Sequence, residues 1–185
     1  MQTVQYAAKI VAELEKSAAL LSDQEAERLV NSILKAKKVF VAGGGRSGFM
    51  AKSFVMRMMH MGIDAYVIGE TVTPTFEQDD LLIIGSGSGE TKGLVSIAEK
   101  AKSIRGTIAA VTINPDSTIG KLSTFTVKLP GAPKDQSQSD FHTIQPMGSL
   151  FEQTLLVFYD ALILRFMEKN ELDNDKMYGK HANLE

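Results

Sequence analysis

Two glycine-rich runs in this sequence carry the residue types from which anion sites are built. The first is Gly43-Gly44-Gly45-Arg46-Ser47-Gly48 and the second is Gly85-Ser86-Gly87-Ser88-Gly89-Glu90-Thr91. Glycines let a backbone approach a ligand closely and turn successive N–H groups toward it. Where a helix begins at such a run, its first amides add partial positive charge. The hydroxyls of Ser47, Ser86, Ser88 and Thr91 can donate further hydrogen bonds to phosphate oxygens. Either run alone reads equally well as a helix cap. Two of them in equivalent places favour a phosphate site, with Gly45, Arg46, Ser47, Ser86, Gly87, Ser88 and Thr91 as its candidate residues.

Gly43, Gly45 and Gly48 also satisfy the G-x-G-x-x-G pattern of dinucleotide-binding folds, with Glu70 roughly 20 residues further on, where a ribose-binding carboxylate is found. That reading ranks second. It leaves the hydroxyls of the second run unexplained, and 185 residues leave little room for a separate substrate region. A Walker A loop is absent, because no glycine is followed by Lys-Ser or Lys-Thr at the required spacing.

The elements that must position these runs follow from hydrophobic period and punctuation. Val4, Ala7, Ala8, Val11, Leu14, Ala18 and Leu21 sit at helical spacing over residues 3–21. Ser22 with Glu25 forms a capping box that starts a second helix, running to about Lys35. Apolar runs at 39–42, 65–68, 81–84, 108–113 and 125–129 read as buried strands. Helices are expected over 47–61, stopped by Gly62, and over 91–104, closed by Gly106. A long helix is expected from near Pro146 to about Lys169, apolar around most of its circumference and therefore covered on every side. Alternating strands and helices imply an α/β fold, a five-stranded mostly parallel sheet with helices on both faces. Both glycine runs then lie at the C-terminal ends of strands, where open α/β sheets bind ligands. Residues 131–145 form a long polar segment without period, a length usually reserved for functional loops.

Composition excludes several function classes. The sequence has 20 basic and 22 acidic residues, a net charge of −2, which argues against a broad nucleic-acid surface. With no cysteine, disulfides, thiolate metal sites and cysteine nucleophiles are ruled out. Lys9, Glu13, Glu15 and Lys16 interrupt any signal-like apolar core near the N-terminus. The most apolar stretch, residues 155–166, contains Asp160 and Arg165 and falls short of the ~20 residues a membrane span needs. A cytoplasmic protein without membrane or nucleic-acid partners is expected. The nine methionines read as core filler.

Several segments together resemble a known family. Ser86-Gly87-Ser88-Gly89-Glu90-Thr91 is similar to the Ser-x-Ser-Gly-x-Thr phosphate loop of sugar isomerase (SIS) domains, and Gly45-Arg46-Ser47 to their earlier loop. Gly69 and Glu70 with Thr73 and Pro74, then Gln145-Pro146-Met147-Gly148-Ser149 with Phe151 and Glu152, and finally His181-Ala182-Asn183-Leu184-Glu185 narrow the likeness to the 6-phospho-3-hexuloisomerases of that family. It runs from the first helix to the last residue. Its one small departure is Gly44, where alanine is expected. The resemblance implies a single domain over 1–185: two helices (1–37), a flavodoxin-like three-layer α-β-α nucleus with the phosphate loops (38–130), the long loop (131–145), and a C-terminal helix and tail (146–185). It further implies interconversion of D-arabino-3-hexulose 6-phosphate and D-fructose 6-phosphate, with no metal or organic cofactor. A homotetramer with sites shared between subunits is implied, as is functional pairing with 3-hexulose-6-phosphate synthase in the ribulose monophosphate route for formaldehyde.

Such a reaction moves a carbonyl between adjacent carbons through a cis-enediol. It needs a base that takes a proton from one carbon and returns it to the next, a second group for the oxygens, and a donor for the enediolate. The resemblance singles out Glu152, among Leu150, Phe151, Leu155 and Leu156, as the carbon base. It singles out His181 for proton traffic between oxygens or for opening a cyclic form of the sugar, on a tail that reaches a neighbouring subunit. Arg46 suits either the phosphate or the enediolate, or a structural hydrogen bond between subunits. Glu70 and His142 are candidates for supporting roles, while His60 is expected to pack at the end of its helix. Glu90 is expected at a helix terminus, where the dipole favours an anion, rather than facing the ligand. Two rival functions share the phosphate loops: an isomerase of arabinose 5-phosphate or sedoheptulose 7-phosphate, and a non-catalytic phosphosugar sensor. The short, weakly basic segment ahead of the first strand does not resemble the DNA-binding module a regulator would carry.

Overall fold

Continuous apolar runs become the buried centre of a wholly parallel sheet. The computed structural model describes residues 1–132 and 142–173, with 175, 177, 179 and 181 of the tail. In chain order the elements are α1 (Thr3–Ala18), α2 (Asp23–Lys35), β1 (Val39–Gly43), α3 (Arg46–His60), β2 (Ala65–Val67), β3 (Leu81–Gly85), α4 (Lys92–Ile104), β4 (Thr107–Thr112), α5 (Thr118–Leu122), β5 (Phe125–Lys128) and α6 (Ser149–Lys169). The five strands lie in the order β2-β1-β3-β4-β5, all parallel. That is the flavodoxin-like order, whose switch point falls between β1 and β3.

Side chains alternate across the pleat and split the core in two. Val39, Val41, Leu81, Ile83, Ala109 and Val111 face α2, α3 and α6, packing with Leu29, Phe54, Met58, Leu155, Tyr159 and Leu162. Phe40, Ala42, Leu82, Ile84, Ile108 and Ala110 face α4 and α5, packing with Leu94, Ala98 and Ile119. The result is the expected three-layer α-β-α sandwich. Every anticipated strand is present within a residue or two.

Four local differences have physical causes. Ser22 caps α2, its Oγ accepting from the Glu25 amide at 3.3 Å. The reciprocal half of the box is missing because the Glu25 carboxylate instead accepts from the Lys128 backbone N–H at 2.7 Å. The left-handed residue ending α4 is Arg105 (φ 66°), not Gly106. Gly106 is required by packing, since a Cβ there would sit 2.3 Å from the Phe76 ring. Helix α5, of five residues, is too short to show a period and was not anticipated. Helix α6 starts at Ser149 rather than near Pro146, because Met147 takes a left-handed conformation (φ 57°) and interrupts the backbone.

Several apolar side chains stay outside both cores. In α1 only Ser17 is buried, while Val4 is 78% and Val11 64% exposed. Phe49 on α3 and Leu164 on α6 are also exposed. The all-round burial expected for α6 is thus incomplete within one chain. No helix among the described residues is long and apolar enough to cross a membrane.

Candidate active site

Both glycine runs leave the sheet at the switch point, from glycines that are register partners: Gly43 of β1 lies beside Gly85 of β3. At the first, strand and helix approach so closely that a Cβ on Gly43 would stand 2.7 Å from the Ser47 carbonyl, and one on Gly48 2.9 Å from the Gly43 oxygen. Alanine in place of Gly44 would meet only ordinary contacts with Thr91 and Leu94, so the departure noted there is sterically neutral.

The second run is fastened by hydrogen bonds of its own and of its neighbours. Ser86 Oγ accepts from the Gly89 N–H and Ser88 Oγ from the Glu90 N–H, each at 3.2 Å. Both hydroxyl protons therefore remain for a ligand. Thr112 Oγ1 donates to the Gly87 carbonyl at 3.2 Å. Gly89 adopts φ 65°, and a Cβ there would collide with the Ser117 hydroxyl at 1.9 Å. Glu90 turns away from the ligand side and accepts from the Thr118 N–H at 2.8 Å, capping α5 rather than the α4 it precedes. That backbone bond, with help from the Thr118 hydroxyl and Lys121 against some desolvation, holds the Glu90 carboxyl below the usual range.

A cleft of about 330 Å³ opens over these loops, lined by Ser47, Ser86, Gly87, Ser88 and Thr91 on one side and by Gly148, Phe151 and Glu152 on the other. The structure thus brings the serine and threonine candidates together with the candidate base. Glu152 sits in the first turn of α6, not the second as the expected start implied. Its environment is not purely apolar. Arg46 Nε lies 2.9 Å from Glu152 Oε2, and the Arg46 Nη1 is 3.5 Å from the Ser149 hydroxyl. Arg46 is therefore joined to the carboxylate, while Gly45, with φ 56°, serves as the N-cap of α3. A Cβ on Gly148 would stand 3.5 Å from Glu152 Oε1, the oxygen that Arg46 does not engage.

Three candidates are placed elsewhere. Glu70 pairs with Lys52 at 2.8 Å and does not line the cleft. His142 is exposed and does not line it either. His181 stacks on His60 of its own chain with ring centroids 5.4 Å apart. His60 ends α3, which begins at Arg46, so a 15-residue helix separates this stack from the cleft by about 20 Å along its axis. His60 is 5% exposed, packed as expected; burial first, then the neighbouring charges of Arg57 and His181, lower its pKa. Most of the expected 131–145 loop and the 182–185 tail lie outside the described residues. Sequence reasoning gave no part to Gly148 or Ser149 beyond the resemblance, and none at all to Ile113, Ala132 and Leu94, which complete the cleft wall. Among the described residues no three histidine or acidic side chains gather as metal ligands.

A parallel 2-1-3-4-5 sheet with two glycine- and hydroxyl-rich loops at its switch point defines a class. The SIS domain profile matches residues 32–157, and the chain belongs to the SIS domain family. Within it, the sequence is 57% identical over 185 residues to the 3-hexulose-6-phosphate isomerase of Bacillus subtilis (strain 168), covering 100% of both chains. It is 39% identical over 173 residues to the 3-hexulose-6-phosphate isomerase of Mycobacterium gastri, covering 94% of this chain and 86% of that one. A Methanococcus jannaschii protein, whose crystal structure is described as inferring a molecular function of 3-hexulose-6-phosphate isomerase, matches with a TM-score of 0.84 at 33% identity, over 98% of this chain and 99% of that one.

Proposed function

We propose that this protein is a phosphosugar isomerase that interconverts D-arabino-3-hexulose 6-phosphate and D-fructose 6-phosphate through a cis-enediol. The observation that carries the reading is the cleft itself: a carboxylate, Glu152, faces a cradle of Ser47, Ser86, Ser88 and Thr91 across a space of sugar-phosphate size. The full-length likeness to a 3-hexulose-6-phosphate isomerase supports this substrate over arabinose 5-phosphate or sedoheptulose 7-phosphate, and favours an enzyme over a sensor.

In this reading the loop hydroxyls and amides hold the 6-phosphate, fixing the sugar so that C2 and C3 lie beneath Glu152. Oε1 removes the C2 proton, electrons move onto the C3 oxygen, and the carboxylic acid returns the proton to C3. Arg46, bound to Oε2 in the resting site, stays beside whichever group is negative as charge passes from carboxylate to enediolate. Proton exchange between O2 and O3 falls to His181 of a second copy, because the His181 of the same chain rests on His60 far from the cleft. The apolar residues left exposed on α1, α3 and α6 support assembly into the expected homotetramer, since covering them is favourable. We extend the reading to a single SIS domain over the whole chain, acting without metal or organic cofactor in the cytoplasm. There it is paired with a 3-hexulose-6-phosphate synthase for formaldehyde assimilation or detoxification. Formation of fructose 6-phosphate from 3-hexulose 6-phosphate by purified, chelator-treated protein tests the proposal; no turnover, or turnover only with an added metal, contradicts it.

A further inference from the structure

The start of α6 is held by a residue at the other end of the sequence. Glu13 of α1 accepts three hydrogen bonds from the segment just ahead of α6. The Thr143 hydroxyl donates to Oε2 at 2.6 Å, the Gln145 amide to the same oxygen at 2.9 Å, and the Ile144 N–H to Oε1 at 2.8 Å. The Gln145 N–H closes the arrangement by donating to Thr143 Oγ1 at 3.0 Å, and Gln145 is buried. Between β5 and α6 the chain has no regular element among its described residues; the left-handed Met147 defers the helix to Ser149, and the bonds to Glu13 fix the segment that leads into that turn.

From this anchor the path to the chemistry is short. After Gln145 come Pro146 and the left-handed Met147, then Gly148, whose carbonyl accepts the Glu152 N–H at 3.0 Å. Gly148 and Glu152 line the cleft, and Ser149 lies beside Arg46. We infer that Glu13 is a positioning residue for the isomerisation: by pinning 143–145 it sets the first turn of α6 and hence the reach of Glu152. The inference rests on the functional reading above. Glu13 touches neither the cleft nor the phosphate loops, so its effect falls on proton transfer rather than on binding.

The test uses the full chain and measures kcat and KM on 3-hexulose 6-phosphate, backbone hydrogen exchange, and the thermal midpoint. Glu13→Ala should lower kcat on the order of 10- to 100-fold, the scale set by roughly 1 Å of misplacement at a reacting centre, with KM changed less than about threefold. Exchange should rise over residues 143–152 and stay unchanged over 85–91. Glu13→Gln should recover most of kcat, because its amide can donate to Thr143 Oγ1 and to a flipped Gln145 while its oxygen accepts from Ile144. Thr143→Val probes the same clamp from the loop side should Glu13→Ala fail to fold, and should lower kcat by a smaller factor. Unchanged kcat in either truncation overturns the inference, as does Glu13→Gln matching Glu13→Ala in its loss. If the parent protein is inactive on the sugar phosphate, the functional reading fails. The exchange data then still decide whether Glu13 holds residues 143–152.

Discussion

The two walls of the cleft are built on different plans. The loop wall is made of two contiguous runs, each leaving its own strand for its own helix; the second combines short-range hydrogen bonds, such as Gly89 to Ser86, with longer ones from Thr112 to Gly87 and from Thr118 to Glu90. The carboxylate wall is assembled from partners far apart in sequence: Arg46 with Glu152, and Glu13 with Thr143, Ile144 and Gln145. In the proposed reaction, a wall whose candidate hydroxyls lie in contiguous runs suits the part that holds a constant group, the phosphate, and a wall joined by distant contacts suits the part that must align with two carbons.

The sharpest way to break this division is Glu152→Gln, which keeps shape and removes the proposed base. The carbon-to-carbon proton transfer should lose about 10²- to 10⁴-fold in kcat, the usual worth of a positioned general base. Solvent exchange of the substrate's C2 proton, followed by NMR, should stop while phosphate binding persists. Activity within a few fold of the parent would move the base elsewhere. Mixing Glu152→Gln with His181→Asn protein extends the comparison across subunits. Hybrids should regain turnover if each site takes its histidine from a second copy, and regain nothing after proven subunit exchange if it does not.

On the opposite wall, Ser88→Ala removes one donor to the phosphate. Binding should weaken by ~1.5–3 kcal/mol, the range for a hydrogen bond to a charged group. The loss should appear in KM with kcat nearly kept, since the phosphate is held equally in ground and transition states. A fall in kcat alone would blur the distinction between the walls.

That distinction also explains what could be read from the sequence. Strands announced themselves as apolar runs, those of β1 and β3 ending in glycine and those of β4 and β5 followed by proline, and Ser86, Ser88 and Thr91 lie together because a single loop carries them. Arg46 beside Glu152 could not be anticipated, because no local pattern reports a contact between residues so far apart in the chain. Helix α5 has too few residues for a period. Pro146 fits a first helical turn well, yet the left-handed Met147 defers α6 to Ser149. In the sequence Glu13 is one of the charges that interrupt a signal-like apolar core and nothing more, and its partners lie in the stretch with no periodic signal. His181 carries a family likeness only; its own chain places it against His60.

The smallest expected effect concerns that same Glu13, through pH. Burial works to raise its pKa, but the hydrogen bonds from Thr143, Gln145 and Ile144, with Lys16 nearby, outweigh burial and lower it from 4.5. A carboxylate whose folded value is depressed adds stability that is fully present above its unfolded pKa. As pH falls below that value the unfolded chain takes up a proton that the folded chain refuses, so stability declines until the folded value is passed. Glu27, Glu77 and Glu90 are lowered as well, so the parent's acid profile alone does not isolate Glu13. The difference between parent and Glu13→Gln does. Thermal midpoints from about pH 6 down to about pH 3 should show the parent ahead at the upper end and the gap closing as the lowered pKa is crossed. A gap that stays constant with pH would mean that the three hydrogen bonds do not depend on the charge of Glu13. The carboxylate wall would then be anchored by shape alone.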